Sequence, residues 1–293
     1  MGGSSGSGGS GGSSGSGGSG GASGSSGSGG TSGSGGSGGS NASGGADGST
    51  DGGATVKVTG VAADASSPTA AKNFDVSKYP SLSGVSVCVY PATTGCATTG
   101  SDGSYSLTVP VEKSVYLSYK KDGYTPVLYA VAPTAGQDIS APALFMTTTD
   151  YTNSFLTKGG ATNDSGKGSI LFGAVTLNPV GSSPLHEMFG TTEVYYLKGF
   201  TATISPAATV GPVFVSDTWS PDPALTESST SGWGFFQAPP GDYTLTITAP
   251  GLTCGQTTTR VVAGYETTYV GVLCSLPSDG GTDGGPADAG RDH

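Results

Sequence analysis

The stretch "CATTGSDGSYSLTVP", residues 96–110, decides the fold, because it reads as the end of one strand, a tight turn and a second strand. Asp102 and Gly103 stand at the centre of the turn. An Asp side chain there can bond its own backbone two residues on, and Gly takes positive φ without a Cβ clash. Beyond it, Tyr105, Leu107 and Val109 point one way while Ser106 and Thr108 point the other, the period-two pattern of a half-buried strand. Pro110, which cannot donate to a ladder, ends that strand.

Working outward, the same punctuation recurs from residue 54 onward. "ATVKVTGVA" (54–62), "GVSVCVY" (84–90), "SVYLSY" (114–119), "PVLYAVA" (126–132) and "PALFMTT" (142–148) read as further strands. A weaker copy follows: "TSGWGFFQAPPGDYTLTITAPGL" (230–252) repeats the order of Gly-containing turn, aromatic strand, Pro, alternating strand and Gly. Around it the expected strands are 169–177, 199–205, 212–217, 233–238, 242–248, 257–263 and 267–274. Two copies are too few for a solenoid and enough for tandem domains. The expected organisation is a Gly/Ser linker at 1–53, a first β-sandwich at 54–150, a linker at 151–167, a second, divergent β-sandwich at 168–275 and an acidic tail at 276–293. The fold class is all-β, with two tandem β-sandwiches.

Composition explains the two ends. Of the 293 residues 54 are Gly, and residues 1–53 hold no sizeable apolar side chain after Met1, so they cannot bury enough surface to offset the entropy of ordering. A Gly/Ser chain of that length spans roughly 40 Å root-mean-square and suits a tether. The tail "PSDGGTDGGPADAGRDH" is equally short of apolar residues and is expected to lack fixed structure. Net charge is −10, and the 11 Lys and Arg are scattered apart from the pair Lys120 and Lys121. No basic stripe exists to neutralise phosphates, which argues against a nucleic-acid partner. No apolar run reaches the length of a membrane span.

The start "MGGSSG" has Gly6 where myristoylation needs Ser or Thr, and no apolar stretch of a signal peptide precedes the Gly/Ser tract. Export is nonetheless expected from the few charges, the abundant Ser and Thr, and the four cysteines. Cys88 and Cys96 fall about a turn, so a register opposing Val89 to Gly95 also opposes the two sulfurs. Cys254 and Cys274 can tie the closing strands of the second domain. Free thiols are the alternative, and zinc is disfavoured because no CxxC spacing occurs and neither His adjoins a Cys.

Apparent catalytic motifs fail on context. "GGSSG" at 11–15 matches a nucleophile elbow only by composition. "ATNDSGKG" (161–168) resembles a phosphate loop, yet Gly168 replaces the magnesium-holding hydroxyl and a strand follows. His186 and Glu187 begin a zincin-like pair, but Gly190 stands where the second His is needed, and His293 ends the tail. A nucleophile site would have to use His186 with Ser183 or Glu193, set against the plainer reading of a solvent-facing loop histidine. Trp219, flanked by Asp217 and Asp222, is the candidate glycan-binding residue, since sugar-binding sandwiches use exposed aromatic faces. Core packing is the competing role for Trp219 and Trp233. Asp217, Asp222 and Glu227 also offer carboxylates to calcium, without the usual loop spacing.

Gly84, Val85, Thr99, Asp102, Gly103, Tyr105, Leu107, Val109, Pro110, Gly123 and Tyr124 together resemble the carboxypeptidase regulatory-like module, and the resemblance covers about residues 54–148. It implies a seven-stranded sandwich and places the two tandem sandwiches in the transthyretin/Ig-like class. In the second copy Trp233 replaces the turn Asp, and "APPGDYTLTI" is nearer a variant form of the same family. The Gly/Ser start followed by such modules is similar to tethered lipoproteins of the myxobacterial type, although the lipidated Cys of those proteins is absent here. The tether, the tandem folds and the lack of a catalytic set lead to the expectation of a non-catalytic, extracytoplasmic protein at the bacterial outer membrane surface or secreted. Its sandwiches would act as a spacer or protein-interaction module, with a carbohydrate-binding, starch-binding-like role as the alternative. Expected partners are envelope proteins or extracellular glycan, membrane only through a lipid anchor outside this sequence, and no cofactor or metal.

Overall fold

The computed structural model describes residues 53–66, 78–111, 114–177, 179, 182–189 and 192–277. The expectations for residues 1–52 and 278–293 lie outside the described residues. The first sandwich comprises β1 (Thr55–Asp64), β2 (Ser86–Val89), β3 (Ala97–Thr98), β4 (Ser104–Pro110), β5 (Val115–Lys120), β6 (Val127–Val131), β7 (Ile139–Ser140) and β8 (Leu144–Met146). One layer is β4-β1-β7, with β8 also paired to β1, and the other is β6-β5-β2-β3. The alternation read in the sequence builds the interior: Tyr105, Leu107 and Val109 of β4 meet Val85, Val87, Val115, Leu117 and Tyr119 from the facing layer.

The turn at Asp102 and Gly103 carries the chain from β3 in one layer to β4 in the other. Asp102 Oδ1 accepts from the Ser104 N–H at 3.0 Å and from the Ser104 hydroxyl at 2.7 Å, and these bonds hold its carboxyl below the usual carboxylate range. Gly103 has φ +77°, and a Cβ there would strike the Ala62 carbonyl oxygen. Just beyond, Tyr105 crosses the core to share a 2.6 Å hydrogen bond with the Tyr119 hydroxyl. Its ring lies over Gly60, its ladder partner on β1, where a Cβ would approach the phenol to 2.5 Å.

The segment expected to be a linker contains a helix, α1 (Thr149–Lys158). The Thr148 side chain caps it by accepting from the Tyr151 N–H at 3.3 Å, Asp150 and Lys158 suit the helix dipole, and Gly159 and Gly160 follow its end.

The second sandwich follows with β9 (Gly168–Thr176), β10 (Ser182–Phe189), β11 (Thr192–Leu197), β12 (Thr201–Ser205), β13 (Val210–Val215), β14 (Pro221–Asp222), β15 (Trp233–Ala238), β16 (Gly241–Thr248), β17 (Thr253–Cys254), β18 (Gln256–Val261) and β19 (Glu266–Ser275). Strands β14-β13-β15-β9-β19 form one layer and β12-β16-β18 the other. Ile170, Phe172, Phe214, Phe236, Leu245 and Val272 fill the space between them. Strand β15 is buried at all six positions because both its faces are covered. Phe236 enters the sandwich core, whereas Phe235 packs with Leu156 of α1.

The two sandwiches share a sheet. Strand β19 runs parallel to β6, pairing Glu266 with Val127 and Thr267 with Leu128, so their layers merge into a single sheet of 12 strands. The β6 edge is thereby closed. The described residues of both sandwiches fall within one compact unit. The covering layers lie on opposite faces of this sheet: Val127 joins the first core, while Thr267 reaches the β18 side through a 2.6 Å bond to the Arg260 carbonyl. On that second face the Arg260 guanidinium lies 5.8 Å from the Tyr116 ring centre, and Lys120 Nζ lies 5.3 Å from that of Tyr265.

Both cysteine pairs are joined as disulfides, Cys88–Cys96 and Cys254–Cys274. The ladder Ser86↔Thr98 and Val87↔Ala97 runs directly into the first, and Cys254 opposes Cys274 across β17 and β19 in the second.

Candidate functional site

At the seam of the two sandwiches, on the α1 face of the shared sheet, lies a cavity of about 130 Å³. The first sandwich contributes Tyr79 and Phe145, whose rings are 4.5 Å apart. Helix α1 contributes Tyr151 and Phe155, one turn apart and stacked at 6.4 Å, as the helical period requires. The second sandwich contributes Trp219 and Trp233, and Glu266 and Thr268 of β19 line the wall beside them. A Tyr196 ring 5.3 Å away supports Trp233 from behind.

Glu266 is the acidic group in this lining. Its backbone N–H is committed to the β6 edge, donating to the Pro126 carbonyl at 2.9 Å, which fixes the side chain against the cavity. Burial pushes the carboxyl up from 4.5 to about 7. Tyr151 faces it from α1, and its phenol is raised above 10.0 by burial and then by the Glu266 charge. Two hydroxyls of the lining are internally satisfied, since Thr152 Oγ1 bonds both Thr125 Oγ1 at 2.8 Å and Thr147 Oγ1 at 2.7 Å.

Trp219 is the one non-glycine residue with positive φ among the described residues, at +59°. A tight turn imposes this: the Trp219 N–H donates to the Ser216 carbonyl at 2.9 Å, and the Ser216 N–H to the Ser220 carbonyl at 2.8 Å. The indole thereby comes against the cavity next to Trp233. Its two acidic neighbours are tied within the loop. Asp217 accepts from the Thr230 hydroxyl and from the Thr230 N–H at 2.9 Å, bonds that hold its carboxyl below the usual range. Asp222 accepts from the Ala224 N–H at 2.9 Å.

The remaining sequence candidates stand elsewhere. His186 and Glu193 come together across the β10–β11 hairpin, with Nε2 to Oε1 at 3.7 Å and both side chains exposed. The Ser183 and Glu187 side chains and His293 lie outside the described residues. Among the described residues no cluster of His, Cys, Asp and Glu is placed to hold a metal, and no helix is long and apolar enough to cross a membrane. Sequence reasoning weighed the two tryptophans and missed Glu266, whose signal is a lone acid opening the otherwise uncharged strand "ETTYVGVLC".

No protein-family model matches the chain, and no curated protein matches it in sequence. Solved structures show distant likenesses. A minor pilin of Streptococcus agalactiae is 14% identical, with 80% of this chain and 100% of that one covered at a TM-score of 0.24. The Bacillus anthracis TIE protein is 14% identical over 75% of this chain and 34% of its own, at 0.23. A type II cohesin–X-dockerin complex of Acetivibrio cellulolyticus is 15% identical over 32% of this chain and 58% of its own, at 0.22. The chain therefore spans less than two thirds of the length of the last two.

Proposed function

We propose that the chain is a non-catalytic, extracytoplasmic protein whose two sandwiches act as a rigid spacer that presents an interaction surface. The pairing of β19 with β6 carries this reading, because a shared sheet fixes the orientation of one sandwich on the other where a flexible linker would not. Two disulfides support an oxidising compartment. The Gly/Ser composition of residues 1–53 supports a tether that holds the pair away from its point of attachment. The turn at Asp102 and Gly103, with Tyr105 and Pro110 behind it, supports a divergent carboxypeptidase regulatory-like origin for the first sandwich. As a test, the full chain is incubated with chromogenic ester, peptide and glycoside substrates beside a His186→Ala variant. No turnover by either is expected. Turnover that the variant loses would refute the non-catalytic reading.

A further inference from the structure

The seam cavity combines six aromatic side chains, Tyr79, Phe145, Tyr151, Phe155, Trp219 and Trp233, with one acid, Glu266. Its volume of about 130 Å³ is close to that of apolar cavities, about 150 Å³, that admit benzene, so it holds a compact group of similar size. A neutral apolar guest would leave the carboxylate without a counter-charge, and an anion would be repelled by it. Aromatic faces attract cations, and the Glu266 charge adds to that attraction. A primary ammonium brings three N–H donors, of which the Glu266 carboxylate meets only those turned toward it, while the Thr147 and Thr152 hydroxyls of the lining already bond each other. A methylated ammonium brings none. The left-handed backbone at Trp219 is a second sign of function, since that strained residue is among those lining the cavity.

We propose that this cavity is a binding site for a small, free organic ammonium compound, its methylated nitrogen seated among the six rings and counter-charged by Glu266. The site is independent of the spacer reading and would stand if that reading failed. Because the Glu266 carboxyl titrates near 7, the ligand favours its ionised form and binding releases a proton below that pH.

The probe is choline, compared by calorimetric titration of the full chain at pH 8 with its neutral isostere 3,3-dimethylbutan-1-ol. Saturable choline binding is expected, about tenfold tighter than that of the isostere. Choline affinity is expected to fall about tenfold from pH 8 to pH 6 as Glu266 takes up its proton. Glu266→Gln should reduce the preference for choline to the part the rings supply and remove its pH dependence, without weakening isostere binding, and Trp219→Ala should weaken both. Absence of saturable choline binding to the unaltered chain, or equal affinity for the two probes, would overturn the proposal without recourse to any variant.

Discussion

Glu266 sets a pH dependence on folding. Its carboxyl binds a proton more tightly in the folded chain, at about 7, than the ordinary value of 4.5 describes for the unfolded one. The stabilisation from that proton is complete below about pH 4.5 and is lost as pH rises through 7, while Tyr151, which faces it, stays protonated throughout. At roughly 1.4 kcal/mol per unit the loss amounts to at most about 3 to 4 kcal/mol. Urea denaturation at pH 5 and pH 8 should therefore show the chain weaker at pH 8 and Glu266→Gln without that difference. Parallel profiles for both proteins would remove Glu266 as the cause. At Gly103, a side chain would have to adopt φ +77° and displace the Ala62 carbonyl. Gly103→Ala is expected to cost about 2 kcal/mol or more, read as a lower urea midpoint at unchanged slope. An unchanged midpoint would mean that the turn relaxes freely.

Among the elements, the disulfides close short loops and α1 plugs the back of β15. Replacing Cys88 and Cys96 together by Ser should lower stability by about 2.5 kcal/mol, and replacing Cys254 and Cys274 by about 3.3 kcal/mol, on the loop-entropy relation. Thiol titration of the denatured, unreduced chain should find no reactive group; four would contradict both bridges. Leu156→Ala opens a hole against Phe235 and Val213 and should cost about 2 to 4 kcal/mol. The strands that alternate cleanly, such as Tyr105, Leu107 and Val109, were legible because one face is wet and the other dry. The β10–β11 hairpin was not legible, since Pro184, His186 and Glu187 interrupt any period of two. Helix α1 escaped for the opposite reason. Its capping signals at Thr148 and Gly159 are plain, but Tyr151, Phe155 and Leu156 give only a thin apolar stripe in a polar segment. The candidate site was half legible: Trp219 was visible as an aromatic in a polar loop, whereas Glu266 becomes a site residue only through the pairing of β19 with β6.

For the whole molecule, that pairing is the decisive long-range contact. Pairing between strands some 140 residues apart leaves no local trace in composition or period, so the sequence reads as two beads on a linker. Folding instead lays one sheet through both sandwiches, covers it on opposite faces, and leaves the aromatic cavity at the join. Rigidity of the pair follows from the shared sheet, the α1 plug and the Arg260–Tyr116 and Lys120–Tyr265 contacts. Because all four native cysteines are bonded, spin labels can be placed selectively at Thr108→Cys on β4 and Thr203→Cys on β12, both exposed positions. Pulsed dipolar spectroscopy on this doubly labelled full chain should give one narrow distance distribution. A broad or two-peaked distribution would show sandwiches that move independently and would contradict the shared sheet.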